Sequence, residues 1–428
     1  MSSRPKFATQ VAEAIDFSET GPGNKVWLFR RALLRRNIRV INPPKRKGDH
    51  LPVWGAAYKG EVELFRGLMS ADRGMAAHRL ARDKATTKSV LQEAGLRVPT
   101  SYDVGNAQSD PDGVFAEIQS LGLIPGVLKP NGGSHGRGVT MGIRDIGGFR
   151  KALEVAGNSA IFEEQIFGRD YRMLTIGSSL KAVTERKPSH VIGDGVSTVA
   201  QLVSTKNERR VLNPSTRNHP LLTDEHAELC LSRQGLSLHS VPSEGVEVLL
   251  RTVANVGSGG DAHDRTDQVH PGFTQICERV PEHFGSPEVL GIDIIAEDIS
   301  ADPEGQKWGI LEVNANPDID LQHWPWSGEG RDVADQLART YFPDSHIGKT
   351  DTIMLEVRGK LRYSKLENWV ERYSVLAGLG VLSFRSERGL HLGLTGTEAA
   401  VDWFVEMLIR SRTGSIIRSI DCTTAAGS

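Results

Sequence analysis

Glu312 and Asn314 stand two residues apart in the apolar run Ile310-Leu311-Glu312-Val313-Asn314. On an extended strand that spacing puts both side chains on one face, about 6.6 Å apart, and sends Leu311 and Val313 into the opposite layer. Asp293 lies 19 residues before Glu312, in Gly291-Ile292-Asp293-Ile294-Ile295. The segment between them carries Asp302, Pro303 and Gly305, enough for a turn that returns the second strand antiparallel beside the first. Two carboxylates would then converge in a partly desolvated place. Their repulsion is relieved by a raised pKa or by a cation, and a hard oxygen set of Asp, Glu and Asn suggests magnesium with a bound phosphate. The alternative is a solvated strand face.

A second group of residues suits phosphate. Lys129 ends the apolar strand Val127-Leu128-Lys129 and leads into Asn131-Gly132-Gly133-Ser134-His135-Gly136-Arg137-Gly138. Glycines let backbone N–H groups approach an anion without side-chain obstruction. The loop is not a Walker A motif, because Val139 stands where the lysine belongs, and a hairpin with no ligand remains open. Lys129 either snorkels to water or meets a phosphate. Further on, Glu163-Glu164-Gln165-Ile166-Phe167-Gly168-Arg169-Asp170 offers a carboxylate to a ribose at Asp170, and backbone near Gln165 and Ile166 to an adenine edge. A charged turn is the other reading.

These residues need elements to hold them. A helical pattern from Asp83 to Ala94 ends at Gly95 with Pro99 soon after, and puts Lys84 and Lys88 one turn apart. Strands are expected either side of the glycine loop, with a strand pair at Ala160–Phe162 and Arg172–Ile176 and a helix over Thr223–Arg233. Near the start, Lys25-Val26-Trp27-Leu28-Phe29 reads as a strand, and Arg30, Arg31, Arg35 and Arg36 form a basic patch that is either an anion site or a solvated helix face. Beyond about residue 350 the chain changes to short alternating strands and two helices.

A length of 428 residues with 39% hydrophobic and 24% charged residues allows roughly two to four domains with substantial cores. The formal charge of −2 offers no global field for nucleic acid or an anionic membrane, so neither is an expected partner. Cys230, Cys277 and Cys422 support neither a disulfide framework nor a Cys-pair zinc site, and a reducing cytoplasm fits. No signal segment and no run near the ~20 apolar residues of a membrane span is read.

The order of these parts resembles the ATP-grasp superfamily of carboxylate-amine ligases, and within it the ATP-grasp portion of cyanophycin synthetase and of bifunctional glutathione synthetase. The matching stretches are Gly133 to Val139, Gly168-Arg169-Asp170-Tyr171-Arg172, Glu185-Arg186-Lys187-Pro188, Val191-Ile192-Gly193-Asp194-Gly195, Arg251 to Gly260, Leu290-Gly291-Ile292-Asp293 and Glu312 to Pro317, within about residues 80 to 330. The resemblance implies an α/β (α+β) ATP-grasp fold using ATP and Mg2+. It implies that Lys84 and Lys129 contact the phosphates under a lid containing Gly133, Ser134, His135, Gly136 and Gly138. Glu163 would mark the adenine hinge, and Asp170 would hold the ribose. Asp293, Glu312 and Asn314 would coordinate magnesium. Arg186 and Arg251 would face the transferred phosphoryl group or the carboxylate, and Asn255 would lie where the acyl phosphate is held.

The implied reaction activates an amino acid or peptide carboxylate as an acyl phosphate and joins it to an amine. A phosphotransferase, or a nucleotide-binding regulator of the same fold, is the alternative. The chain ends about 100 residues after the metal motif, so a single peptide or isopeptide bond is expected rather than polymer synthesis. The expected division is a leading region over 1–80, an ATP-grasp domain over 81–345 and a C-terminal domain over 351–428, with homo-oligomerisation possible. The tail resembles an acylphosphatase, a ferredoxin-like fold, through Val357-Arg358-Gly359-Lys360, Trp369-Val370 and Gly378-Leu379-Gly380. Glu367 and Arg385 occupy the positions of its catalytic arginine and asparagine, so hydrolysis is not expected there, and dimerisation, substrate docking or lid support is.

Overall fold

The computed structural model describes residues 23–42, 53–71, 73–105, 107–131, 138–157, 159–386, 389–411 and 413–424. They fall into two units, one of residues 73–333 and one of residues 23–71 with 334–424.

In the first unit the central sheet is wholly antiparallel, in the order Asp261–Asp264, Ser179–Lys187, Arg169–Ile176, Val289–Ala296, Trp308–Asn314. Its inner strands are apolar enough to bury both faces, with Met173, Leu174, Val183, Ile292 and Ile294 all withdrawn from water. A second sheet runs Ser101–Asp103, Ala160–Glu164, Gly126–Pro130, Thr140–Ile143. Phe115, Ile118, Leu128, Phe149, Leu153 and Phe162 form its core with the helices Pro111–Ser120 and Ile146–Ala156. Asp110 and Asp145 cap those helices by accepting from Gly113 and Gly148. A small third layer joins His190–Ile192 to Glu247–Leu249 under the helices Val199–Arg210 and Glu225–Arg233.

The expected strand pair 160–162 and 172–176 is corrected by this topology. Both segments are strands, but they belong to different sheets. The acidic stretch 163–170 is therefore a crossing between sheets. It passes so close to Ala296 that a Cβ on Gly168 would lie 2.5 Å from the Ala296 carbonyl oxygen, which is why glycine stands there.

In the second unit, the segment expected as a strand at 25–29 is part of the helix Gly23–Arg35. The apolar run continues through Ala32, Leu33 and Leu34, all buried with Val26, Trp27, Leu28 and Phe29, and a helix buried on most of its surface has no polar period to distinguish it from a strand. It packs on the helices Tyr363–Ala377 and Glu398–Ile409. The strands Arg39–Ile41, Val53–Tyr58, Glu61–Arg66 and Met69–Ser70 form a four-stranded antiparallel sheet. The elements Asp351–Lys360, Tyr363–Ala377, Gly380–Arg385, Leu390–Gly396, Glu398–Ile409 and Ile416–Thr424 follow as β-α-β-β-α-β. Their sheet order, second strand, third, first, fourth, is the ferredoxin-like split βαβ arrangement.

The basic patch is also corrected, since neither of its two expected forms is present as a whole. Arg36 is buried and bidentate on Asp335, at 2.9 and 2.8 Å, and donates to the Ser345 carbonyl. Arg35 reaches the same carboxylate at 2.8 Å, and Arg30 is buried among tryptophans. Burial pushes the Asp335 carboxyl up, and the two guanidiniums outweigh that and hold it below the usual range. Asp335→Ala strands a buried guanidinium and is expected to destabilise the chain by about 3–5 kcal/mol in urea unfolding at neutral pH. Because the folded pKa is depressed, the gap to wild type persists at neutral pH and closes as pH falls below the ordinary value of 3.8.

Candidate active site

Asp293 faces Glu312 directly across the strand pair, in the register Asp293↔Glu312 with Gly291↔Asn314 two residues away, and a bulge follows Asp293. Asn314 lies on the same face as Glu312. The Asp293 carboxylate is held by two arginines from neighbouring strands. Arg172 grips both of its oxygens, donating from Nε to Oδ1 and from Nη2, at 3.1 Å, to Oδ2, and Arg186 reaches Oδ2 at 3.0 Å. Arg186 also donates from Nε to Asp170 Oδ1 at 2.6 Å. Three adjacent strands thus share a nearly buried group of two cations and two anions.

Burial pushes the Asp293 carboxyl up, but Arg172 and Arg186 pull harder and keep it below the ordinary range. At Asp170 burial wins over Arg186, and that carboxyl sits above its ordinary value. For Arg186, burial opposes the charge and the two aspartates more than offset it, so its pKa rises. Gly291 is part of the construction, since a Cβ there would come 3.1 Å from Arg172 Cδ and 2.9 Å from Pro317 Cβ.

A second charged centre joins a helix to two strands. Glu163, buried at the end of Ala160–Glu164, lies with Oε1 at 2.6 Å from Lys88 Nζ and Oε2 at 2.9 Å from Lys129 Nζ. The contact with Lys88 is an ion pair without hydrogen-bond alignment. Lys88 comes from the helix Lys84–Glu93, whose N-terminus Asp83 caps by accepting from Thr86. Lys84 is itself buried at that terminus, and Ala85 N–H donates to Asn131 Oδ1 at 3.1 Å, tying the helix to the start of the glycine loop. Gly133, Ser134, His135 and Gly136 lie outside the described residues; Gly138 lies within them, at φ +76°. The hinge that follows Glu163 is fixed by Gln165, whose side chain accepts from Gly142 N–H and whose N–H donates to the Pro125 carbonyl.

Arg251 and Asn255 stand in another loop. Arg251 is bidentate on Asp224, at 2.7 Å to each oxygen, while Asp224 caps the helix Glu225–Arg233. Asn255 accepts from Gly257 N–H and turns the chain so tightly that a Cβ on Gly260 would lie 2.5 Å from the Lys187 carbonyl oxygen. The structure therefore brings Arg186, Asp170, Asp293 and Glu312 together, and brings Lys129 to Glu163, while Arg251 is engaged with Asp224. Two residues were not singled out for a role by sequence: Arg172 and Lys88. Their signals were available, since Arg172 is two residues from Asp170 on a strand and so shares its face, and Lys88 is one turn from Lys84.

No family model matches the chain. The mixed helix-and-sheet architecture is that of the ATP-grasp fold, and the chain belongs with the ATP-grasp proteins. It is 36% identical over 292 residues to a cyanophycin synthetase of Nostoc sp., covering 67% of this chain and 32% of that protein. It is 32% identical over 278 residues to the bifunctional glutathione biosynthesis protein of Mannheimia succiniciproducens, covering 62% of this chain and 36% of that one. The crystal structure of a bifunctional glutathione synthetase from Pasteurella multocida superposes with a TM-score of 0.55 at 27% identity, over 74% of this chain and 43% of that one. The chain spans about a third of the length of these two curated relatives.

Burial, then the neighbouring Lys129, pulls the Lys88 pKa down to about 8 against the attraction of Glu163. A cation depressed in the folded state favours folding more as pH rises from its folded pKa to its unfolded one. Wild type should therefore gain stability relative to Lys88→Met between about pH 8 and the ordinary 10.5. Glu163→Gln leaves two buried ammonium groups without their shared anion and should cost about 3 kcal/mol or more at pH 7, read by the same urea unfolding.

Proposed function

We propose that the first unit is an ATP- and magnesium-dependent ligase that activates an amino acid or peptide carboxylate and joins it to an amine. The observation that carries this reading is the Asp293–Glu312 pairing with Asn314 on the same face, beside two arginines. Its likeness to cyanophycin synthetase and to bifunctional glutathione synthetase supports it.

The donor set fits magnesium. Asp293, Glu312 and Asn314 present hard oxygens on neighbouring strands, Asp293 is kept ionised by its arginines, and Glu312 and Asn314 are half-buried. Magnesium held there would neutralise charge on the phosphates of ATP. Lys129 and Lys84 bind phosphate oxygens, with Lys88 sharing Glu163 so that Lys129 is held at the strand end. Backbone of the hinge at Gln165 and Ile166 reads adenine, and Asp170, tied to Arg186 through Oδ1, takes a ribose hydroxyl on Oδ2.

The substrate carboxylate attacks the γ-phosphorus, forming its C–O–P bond as the bond to ADP breaks. Arg186, fixed beside Asp293, stabilises the charge that develops on the transferred group. Arg251, held by Asp224, and the turn at Asn255 position the acyl end. The amine then attacks the acyl carbon, phosphate leaves with the bonding pair, and the amine proton passes to solvent or phosphate. The loop through Gly133, Ser134, His135 and Gly136 excludes water from the acyl phosphate meanwhile.

The test is ADP release from Mg-ATP across amino acids and dipeptides, with hydroxylamine as a trap. Substrate-dependent release with formation of a hydroxamate is expected, and Glu312→Ala should reduce it about a hundredfold or more. Release that is unchanged in Glu312→Ala, or a protein that does not bind Mg-ATP, overturns the reading. A stable phosphorylated product that forms without any amine dependence would make it a phosphotransferase instead.

A further inference from the structure

In the second unit a buried guanidinium has no acid beside it among the described residues. Arg30, on the helix Gly23–Arg35, is 5% exposed. Among the described residues it has no hydrogen bond or ion pair, and its Nε is buried without an acceptor. Its surroundings are aromatic. The guanidinium carbon lies over Trp54 at 4.6 Å and over Trp27 at 5.2 Å from the ring centroids. Trp27 in turn meets Trp403 edge to face at 5.5 Å. Trp54 spends its indole N–H on the Gly67 carbonyl, but the indole N–H groups of Trp27 and Trp403 are buried with no acceptor. The Nε of one cation and two neutral indole donors therefore lie buried in a joined aromatic cluster, and among the described residues none of these three N–H groups has an acceptor.

Two cation–π contacts recover less than the cost of taking a guanidinium out of water. Burial accordingly pulls the Arg30 pKa down to about 9. Neighbouring arginines show the usual solution, since Arg35 at the end of the same helix and Arg36 just past it both reach Asp335. What Arg30 lacks is an acceptor that is anionic, small and able to use both edges of a planar fork.

We propose that Arg30, with the indole N–H groups of Trp27 and Trp403, forms a binding site for a carboxylate of amino-acid size. A carboxylate is planar, presents two oxygens to a guanidinium fork, and brings one negative charge, which neutralises Arg30. A phosphate dianion brings a second charge into the same indole walls and meets a steeper desolvation cost. Arg30, Trp27 and Trp403 are each 5% exposed or less, so a ligand enters through local opening of the unit. This inference stands on the second unit alone and does not depend on the ligase reading of the first.

The experiment uses the full chain and follows tryptophan fluorescence while N-acetylglycine is titrated in at constant ionic strength against sodium chloride, with acetate and inorganic phosphate as further probes. A saturable change with the two carboxylates is expected, accompanied by downfield shifts of two indole N–H resonances. Arg30→Met should abolish it with unchanged circular dichroism. Arg30→Lys, which keeps the charge and loses the fork, should weaken binding about tenfold. Trp27→Phe, which keeps the ring and removes the N–H, should weaken it several-fold and would carry the test if Arg30→Met did not fold. No saturable change in wild type, the same change in Arg30→Met, or saturation by phosphate without saturation by carboxylate overturns the proposal.

Discussion

Arg172, Arg186, Asp170 and Asp293 form a charge-balanced group across three adjacent strands, and the geometry around it follows from the need to keep that balance. Each charge is largely out of water, so each is tolerated only while its partners stay in register. A slip of one residue between Arg169–Ile176 and Val289–Ala296 would send Arg172 or Asp293 to the opposite face, among Met173 and Ile292. The pairing therefore fixes the register of the central sheet as firmly as its apolar residues do. The bulge after Asp293 then re-aims the strand beside Glu312 and Asn314.

The Lys88–Glu163–Lys129 centre obeys the same rule with the opposite excess. One carboxylate serves two ammonium groups, so these three side chains together carry one net positive charge before any ligand is bound, with Glu164 near enough to act on Lys88. Charge of that sign at the foot of a glycine-rich loop favours an anion and reduces the reorganisation needed to accept one. The helix carrying Lys88 is bound to the loop through Asn131, which links the cationic centre to the segment next to it. Glycines contribute by omission at Gly168, Gly260 and Gly291, where a methyl group would collide with backbone or with Arg172.

Much of this was readable in advance where chemistry and period coincide. Glu312, Asn314 and Asp293 disclose a strand pair because their spacing is that of one strand face, and the intervening turn residues dictate its return. Asp83 to Gly95 discloses a helix because its stop and start residues are local. What failed was whatever needed knowledge of the neighbour. Lys25 to Phe29 looked extended because a helix buried on most sides shows no polar stripe. Ala160–Glu164 and Arg169–Ile176 looked like partners because they are consecutive, whereas the first pairs with Ser101–Asp103 and Gly126–Pro130 and the second with Ser179–Lys187 and Val289–Ala296. Arg35 and Arg36 looked like a surface patch because Asp335, which pairs with both and against which Arg36 is buried, comes about 300 positions later.

The sequence by itself determined the residue types, the faces they occupy and the ordered series that marks an ATP-grasp chain, because these depend on spacing of a few residues and on local turn and cap chemistry. Tertiary structure decided which opposite charges meet. Arg172 on Asp293, Lys88 on Glu163, Arg251 on Asp224, and Arg30 on no acid among the described residues are outcomes of long-range packing, since Coulombic partners are chosen by distance in space and by exclusion of water, and neither is encoded in separation along the chain.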